Sequence, residues 1–256
     1  ELIDNAVVFG ALAGAIGWNL ITWWGGIPSS SSHALVGGIV GAGVTKSGFS
    51  AIVWGGLSKT LYAIVLSPVT GFILGILLVI LVSWLFVRAN PSFADGFFRK
   101  AQLVTAALFS LGHGSNDAQK TAGIIAVLLY SNGFYSEFTV PGWVILSCYI
   151  VMGLGTMLGG WRIVHTMGSK ITRLTPMQGA CAETAGALTL FAASNFGVPV
   201  STTHTITSAI VGVGSAKRAS AVRWNVATGI VWAWVITIPA SAALAAIFYW
   251  LGSHFI

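Results

Sequence analysis

Two copies of a short polar motif interrupt the hydrophobic stretches of this chain, and both carry residues that could bind an anion. The first copy is GIPSSSSH at residues 26–33, and the second is GVPVSTTH at residues 197–204, 171 positions later. Proline suits the first turn of a helix, and the hydroxyl residues beside it can cap the free N–H groups there. A helix that begins in mid-membrane would direct those N–H groups and its positive dipole end at the anion.

Neutral hydroxyl donors can hold an oxyanion without a buried counter-charge, so the hydroxyl residues of both copies are the predicted anion ligands. They are Ser30, Ser31 and Ser32 in the first copy and Ser201, Thr202 and Thr203 in the second. His33 and His204 end the two runs and are accessory candidates, although a single membrane histidine is more often a hydrogen-bonded interior residue. The alternative is an ordinary kinked helix whose hydroxyls bond to its own carbonyls. The duplication favours anion binding.

A second polar element, GHGSNDAQKTAG at residues 112–123, lies between two apolar runs. Polar residues at membrane depth line a cavity or pack against protein, and charged residues there are usually functional. Asp117 is predicted to bind a coupling cation or carry a proton. Ser115 and Asn116 are predicted to donate to the anion or to coordinate the cation. Lys120, one helical turn later, either pairs with Asp117 or contacts the anion, and both alternatives stay open.

Glu183 is an acid inside the apolar segment 176–196, where a carboxyl group most often faces a polar cavity or a partner. We assign it to the coupling ion together with Asn116 and Asp117. Its counterpart 171 positions earlier is Leu12, so the two halves differ chemically. The five histidines show no HxxE or CxxC spacing, which predicts no metal site. No cofactor is expected beyond the coupling cation, H⁺ or Na⁺.

The composition is that of a membrane protein, because 55% of the residues are hydrophobic and only 7% are charged, against about 25% charged in soluble domains. Stretches long enough to span about 30 Å of hydrocarbon occur at 6–24, 68–87, 141–161, 176–196 and 226–251. We predict an all-α, multi-pass protein of the cell (plasma or inner) membrane, with the lipid bilayer as a partner. The net charge of +6 lies in loops, which indicates topology and excludes nucleic-acid binding.

Basic clusters predict the orientation of the chain. They occur at 88–100, 162–173 and 217–223, whereas residues 131–140 carry only Glu137. Positive loops stay in the cytoplasm, which places the clusters inside and 131–140 outside, with Lys46 also outside. The half-helices at 27–45 and 197–215 then enter the membrane from opposite sides.

That arrangement predicts inverted-topology repeats with re-entrant or broken helices, and a secondary transporter with its site between related halves. The predicted organisation is 1–88 for the C-terminal part of the first repeat, 89–100 for a cytoplasmic loop and 101–256 for the second repeat.

These motifs resemble the PiT family of inorganic phosphate transporters, bacterial low-affinity branch. The two Pro-Ser-(Ser/Thr)-(Ser/Thr)-His elements match its repeats, and the GSNDA at 114–118 is similar to its G-A-N-D signature. The resemblance implies phosphate uptake coupled to protons or sodium, in some relatives as a metal–phosphate complex. It assigns phosphate and coupling-ion roles to Asn116 and Asp117, and importance to Glu183. The family has two Asn-Asp signatures and this chain has one, so we expect a fragment lacking the first part of repeat one.

Three alternatives to phosphate transport remain. Sulfate is the rival substrate, since some members of the family carry it, and half-helices that meet in mid-membrane also build passive anion channels. The third is an intramembrane enzyme using His113, His204 and a hydroxyl nucleophile, but no segment places a serine beside a base and an orienting acid, so we predict no enzyme. Small residues such as Gly153 and Gly155 allow helix contacts within a chain or in a homodimer.

Overall fold

The computed structural model describes residues 3–255, which form nine α-helices and no β-strand. The helices are α1 (Asn5–Trp24), α2 (Ser31–Ser47), α3 (Trp54–Leu85), α4 (Pro91–Ser131), α5 (Gly142–Gly159), α6 (Trp161–His165), α7 (Pro176–Asn195), α8 (Thr202–Lys217) and α9 (Trp224–Gly252). Short 3₁₀ turns lie at Phe49–Ala51 and Ala219–Ala221, and a π-helical turn lies at Thr166–Lys170. The predicted all-α class is confirmed.

Within residues 3–255, four helices are long and apolar enough to cross a membrane, namely α1, α3, α5 and α9. The sequence predicted a fifth span at 176–196. The corresponding helix α7 has the length, but its residues are mostly alanine, glycine and polar side chains, and it is not among the four. Pro68 inside α3 and Pro239 inside α9 are 171 positions apart. Such prolines are tolerated in membrane helices because neighbouring groups satisfy the freed carbonyls.

The described chain divides into two compact units, each assembled from segments that are distant in sequence. The first unit comprises residues 3–58, 117–162 and 230–255, and the second comprises 59–116 and 163–229. Hairpin α1–α2 belongs to the first unit and hairpin α7–α8 to the second. Most of α3 lies in the second unit and most of α9 in the first, so neither unit is a contiguous half of the chain. The repeat boundaries at 88 and 101 remain a prediction.

The two hairpins have the same turn geometry at equivalent positions. Gly26 follows α1 with φ 63°, and Gly197 follows α7 with φ 63°. This left-handed conformation favours glycine, which has no Cβ to clash. The N–H of the next residue then bonds to the carbonyl five residues back, at 2.9 Å in both hairpins. This bonding closes a Schellman-type helix end, so the sequence repeat is also a repeat of backbone structure.

Each hairpin packs closely against one long helix of its own unit. In the first unit a Cβ added at Gly41 of α2 would overlap the carbonyl oxygen of Ala242 in α9. In the second unit a Cβ at Gly212 of α8 would overlap the carbonyl oxygen of Phe72 in α3. Small residues permit such backbone contact between membrane helices, where van der Waals packing drives association.

The segment 89–100 is not a loop, which corrects the predicted organisation. Helix α4 begins at Pro91 and runs without a break through the polar element 112–123 to Ser131. The Asn90 side chain accepts a hydrogen bond from the Ser92 N–H at 2.9 Å, and Pro91 takes the first helical position. An asparagine cap followed by proline is a strong helix start. The predicted loop at 162–173 likewise contains α6 and the π-helical turn.

An ion pair at the start of α1 balances the charge of Lys46, which the predicted topology leaves outside. Lys46 Nζ donates to Asp4 Oδ2 at 2.8 Å, and the Val7 N–H donates to Asp4 Oδ1 at 2.8 Å. Burial raises the pKa of the Asp4 carboxyl, but the hydrogen bonds from Lys46 and Val7 outweigh that effect. The pKa of Asp4 therefore lies below its ordinary value of 3.8.

Lys46→Ala is expected to change stability only slightly and only above acidic pH. Because the folded-state pKa is depressed, the stabilisation is full above the unfolded-state value of about 3.9 and is lost as the pH falls through the folded-state pKa. Near neutral pH the variant should lose at most about 1 kcal/mol of unfolding free energy, as for exposed ion pairs. Thermal unfolding of both proteins against pH measures this. A difference that stays constant into strong acid would contradict the expectation.

Candidate functional site

In the first unit, the predicted hydroxyl residues form the N-terminus of α2. Ser30 is the N-cap, and its buried hydroxyl oxygen accepts from the His33 backbone N–H at 3.3 Å. Ser32, in the first turn, accepts a hydrogen bond from Lys120 Nζ at 2.7 Å. The same ammonium contacts Asp117 Oδ1 at 3.0 Å. A cation on α4 thus lies at the end of α2 where free N–H groups and the positive dipole end already favour an anion.

In the second unit, the N-terminus of α8 repeats this cap. Ser201 is fully buried, and its hydroxyl oxygen accepts from the His204 backbone N–H at 3.2 Å. The backbone of Ser201 has φ −90° and ψ 115°, against −99° and 115° for Ser30. Thr202 is buried and Thr203 half-buried in the first turn. A hydroxyl oxygen that accepts one bond still has its own hydrogen to donate, so both cap serines keep the predicted donor.

Asn116 lies beside the turn of the second hairpin. Its Nδ2 donates to Ser194 Oγ at 3.3 Å, in the last turn of α7. The side chain is buried, and its Oδ1 accepts no hydrogen bond from residues 3–255. A buried amide oxygen without a donor costs free energy. A cation or a ligand hydroxyl at this oxygen would offset that cost.

Lys120 forms the ion pair that the sequence gave as one alternative, and its contact with the anion stays a prediction. It pairs with Asp117, three residues earlier on α4, and also reaches Ser32 on α2. The side chains of Lys120 and Asp117 are 20% and 12% exposed, so solvent screens this pair less than it would a surface pair. Ser31 is exposed and Ser115 is half-buried.

Glu183 does not lie with Asn116, although both belong to the second unit. Glu183 Oε2 accepts from Thr105 Oγ1 at 2.5 Å, and its other oxygen is 3.5 Å from Gln102 Nε2. Thr105 precedes Asn116 by eleven residues on α4, or about 16 Å at 1.5 Å per residue. The structure therefore places the two predicted coupling-ion ligands roughly three turns apart, too far to share one ion.

A stripe of residues on α4 lies against α7, and sequence reasoning assigned no role to most of them. The pairs are Gln102 with Gly179 and Glu183, Thr105 with Glu183, Phe109 with Gly186, Gly112 with Leu190 and Asn116 with Ser194. Residue numbers rise together in both helices, with offsets of 77 to 81, so α4 and α7 run parallel within the second unit. The spacing of three to four residues along 102–116 is one face of a helix. That periodicity was the signal available in the sequence.

The two histidines are buried, with His33 3% and His204 0% exposed. Their backbone N–H groups take part in the caps, and an accessory role for their rings remains a prediction. Across residues 3–255, no group of three or more His, Cys, Asp and Glu side chains is arranged to hold a metal ion.

Ser201→Ala is expected to destabilise the protein through the lost cap. Replacing an N-cap serine by alanine costs about 1 kcal/mol. Ser215→Ala is the matched control, because Ser215 lies on the same helix and donates only to the Gly212 carbonyl at 2.9 Å. Its change should stay within about 0.5 kcal/mol. Thermal unfolding in one detergent compares the two. Equal losses of stability in both variants would show that the Ser201 cap stabilises the protein no more than the hydroxyl of Ser215 does.

Apolar helices long enough to span a membrane, capped helix ends and a half-buried Asp–Lys pair are features of a helical membrane protein. Residues 1–245 match the model described as the phosphate transporter family, and the chain belongs to this family. It is therefore a member of a transporter family and not of an enzyme family.

Two curated relatives and one solved structure agree with this assignment. A probable low-affinity inorganic phosphate transporter of Rhizobium meliloti (strain 1021) is 64% identical over 249 residues, covering 97% of this chain and 75% of the relative. A protein of the same description from Bacillus subtilis (strain 168) is 46% identical, covering 96% and 74%. A solved sodium-dependent phosphate transporter superposes with a TM-score of 0.88 at 26% identity, covering 98% of this chain and 80% of that one.

Proposed function

We propose that this protein moves inorganic phosphate across the plasma membrane, coupled to the entry of a cation, Na⁺ or H⁺. The observation that carries the proposal is the N-terminus of α2, where Lys120 Nζ lies 2.7 Å from Ser32 Oγ in the first turn. Neutral donors, helix N–H groups and one ammonium converge at that point. The names of the relatives support phosphate as the substrate, and the name of the solved neighbour supports sodium.

The residues at the α2 terminus suit a phosphate oxygen. The first N–H groups of a helix have no intrahelical acceptor, and Ser31 and Ser32 supply hydroxyls beside them. An oxygen bound there would lie within reach of Lys120, whose ammonium already contacts this turn. Charge-assisted hydrogen bonds of this kind are roughly twice as strong as neutral ones. The α8 terminus offers Ser201, Thr202 and Thr203 in the same geometry.

The coupling cation is assigned to the Asn116–Asp117 pair of α4. A phosphate near the Asp117 carboxylate would be repelled unless positive charge accompanies it. Lys120 supplies one such charge at 3.0 Å, and a bound Na⁺ or a proton would supply another. The buried Asn116 Oδ1, which lacks a donor among the described residues, is an oxygen of the type that hard cations prefer. We assign Glu183 a separate role about 16 Å along the helix, as a proton or ion relay.

The test is uptake of labelled phosphate by the full-length protein in sealed vesicles, with a sodium gradient or a pH gradient imposed separately. We expect uptake to follow one gradient and to collapse when a sodium or proton ionophore dissipates it. Uptake at a rate that neither gradient changes would exclude coupling to Na⁺ or H⁺. An excess of unlabelled sulfate is the specificity control, and it should leave uptake nearly unchanged. Supplying phosphate with and without a divalent metal distinguishes the free anion from a metal–phosphate complex.

A further inference from the structure

A basic pocket lies in the second unit, away from the motif residues. Its volume is about 290 Å³, and its walls include Arg173, Lys217, Arg218 and Arg223. The start of α7 also lines it, through Thr175 and Gln178. The N-terminal end of α7 brings partial positive charge and the C-terminal end of α8 brings partial negative charge, so the two helix ends offset each other and the four cationic side chains determine the charge of the pocket. The pocket is therefore built for an anion.

No acidic residue lines this pocket, and its four cationic side chains form no ion pair or side-chain hydrogen bond with any residue in 3–255. Two hydrogen bonds hold the backbone near these side chains. The Arg223 N–H donates to the Ile171 carbonyl at 2.8 Å, and Thr172 Oγ1 donates to the Ala221 carbonyl at 3.0 Å. The cytoplasmic location predicted from the sequence would account for the presence of such residues. It does not explain why they line one pocket without a counter-ion.

The other repeat provides an internal comparison, since Lys46 and Asp4 lie 171 positions before Lys217 and Thr175. In the first unit Lys46 Nζ bonds to Asp4 Oδ2 at 2.8 Å, so the lysine is neutralised. In the second unit threonine takes the place of that aspartate as the helix N-cap. The second repeat thus keeps the lysine, loses the carboxylate and adds three arginines.

An apolar groove of about 430 Å³ adjoins the basic pocket and shares Thr175, Gln178 and Lys217 with it. Its other walls are Val79, Ile80, Ser83, Met177 and Ala216. The α3 residues among them belong to the last two turns of a 32-residue apolar helix that can span the membrane. The groove therefore lies at the C-terminal end of α3, the part of a spanning helix that would meet the lipid headgroups.

We propose that this composite surface is a binding site for an anionic phospholipid. The phosphodiester headgroup would occupy the basic pocket, and an acyl chain would lie in the groove along α3. Basic pockets between membrane helices on the cytoplasmic side are of the type that holds anionic lipid headgroups. Four cationic side chains without a counter-ion lie beside an apolar groove. A lipid has both an anionic headgroup and apolar acyl chains, so it fits this combination better than a free anion does.

The experiment compares lipid retention by the purified full-length protein, using native mass spectrometry. Phosphatidylglycerol and phosphatidylcholine with identical acyl chains are added at equal concentration. We expect phosphatidylglycerol to bind at least about tenfold more tightly than phosphatidylcholine, because each Lys or Arg near the headgroup strengthens the binding of an anionic lipid. The double variant Arg218→Gln/Arg223→Gln should reduce that preference by roughly tenfold or more.

A second variant introduces into the second repeat the Asp–Lys pair that the first repeat contains. Thr175→Asp keeps an N-cap residue of equal quality and places a carboxylate where Asp4 pairs with Lys46. We expect it to weaken phosphatidylglycerol binding by about fivefold to tenfold, since it offsets one of the cations. The control is Arg88→Gln/Lys100→Gln, which removes two exposed cations of the same unit that lie outside the pocket. It should leave the preference within about twofold.

Three outcomes would overturn the proposal. One is equal binding of the two lipids by the wild-type protein. Another is a loss of phosphatidylglycerol preference in Arg88→Gln/Lys100→Gln as large as that in Arg218→Gln/Arg223→Gln. That result would show that the lipid is attracted by the charge of the whole surface and not by the pocket. The third comes from a parallel arm with inorganic phosphate: binding that Arg218→Gln/Arg223→Gln abolishes, with no lipid preference, would assign the pocket to free phosphate. Because no arm measures transport, these results are independent of the proposed transport function.

Discussion

Asp117→Asn is expected to reduce phosphate uptake by at least about tenfold while the protein stays folded. The substitution keeps the shape of the side chain and an oxygen that can accept from Lys120, but it removes the negative charge. Hydrogen bonds to charged groups contribute about 1.5–3 kcal/mol, which corresponds to roughly 10-fold to 100-fold in binding. Losing that interaction with the coupling cation should leave Lys120 as the single positive charge beside the phosphate. Initial uptake rates in vesicles measure the effect.

The matched control is Asp95→Asn on the same helix. Asp95 also pairs with a cation on α4, Arg99, at 2.8 Å, but both side chains are exposed, at 49% and 70%. This substitution should leave uptake unchanged, because exposed pairs contribute little. Uptake at the wild-type rate in Asp117→Asn, or equal losses in the two variants, would remove Asp117 from the mechanism.

A double variant separates coupling from simple charge balance. If Asp117 serves only as the counter-ion of Lys120, then Asp117→Asn/Lys120→Gln should regain the uptake of Lys120→Gln alone. If Asp117 holds the coupling cation, the double variant should stay as inactive as Asp117→Asn. We expect the second result. Lys120→Gln by itself should retain uptake with a raised KM for phosphate, since it loses one donor at the α2 terminus.

Local chemistry made the helix ends predictable from the sequence. The hydroxyl residues after the prolines predict helix N-termini, and Ser30 and Ser201 are the caps in the structure. The prolines do not occupy the first helical turn as predicted, because Pro28 and Pro199 lie two residues before the caps. The turns before the caps were not predicted, although Gly26 and Gly197 recur at the same spacing of 171 residues. The start of α4 was also missed. Basic residues at 88–100 suggested a loop, although Asn90 and Pro91 form a helix start in which the proline takes the first helical position.

Tertiary register was not predictable in the same way. The grouping of Glu183 with Asn116 rested on residue type alone, and type does not specify position along a helix. Their separation depends on the parallel packing of α4 against α7, which pairs Thr105 with Glu183 and Asn116 with Ser194. The contact of Lys120 with Ser32, 88 positions away, also depends on how helices pack and not on residue type. The sequence contains both residues, but only the fold of the first unit places them together.

Gly41→Ala is expected to be strongly destabilising, although it adds a single methyl group. The new Cβ would overlap the backbone carbonyl of Ala242, and its next contacts are also backbone atoms of that residue. A backbone atom cannot rotate away as a side chain can, so α2 and α9 must separate along their contact. Overpacking costs about 1–3 kcal/mol, occasionally more, and we place this variant at the upper end. Part of the close contact between α2 and α9 would be lost with it.

Gly43→Ala is the control for this substitution on the same helix. A Cβ there would find its nearest neighbour at 3.9 Å, in ordinary van der Waals contact with the Ala51 side chain. Alanine is also the better helix former by about 1 kcal/mol, so this variant should be neutral or stabilising. Thermal unfolding and the yield of folded protein in detergent compare the pair. A Gly41→Ala protein as stable as Gly43→Ala would mean that α2 and α9 do not touch backbone to backbone, and that the first unit is packed differently.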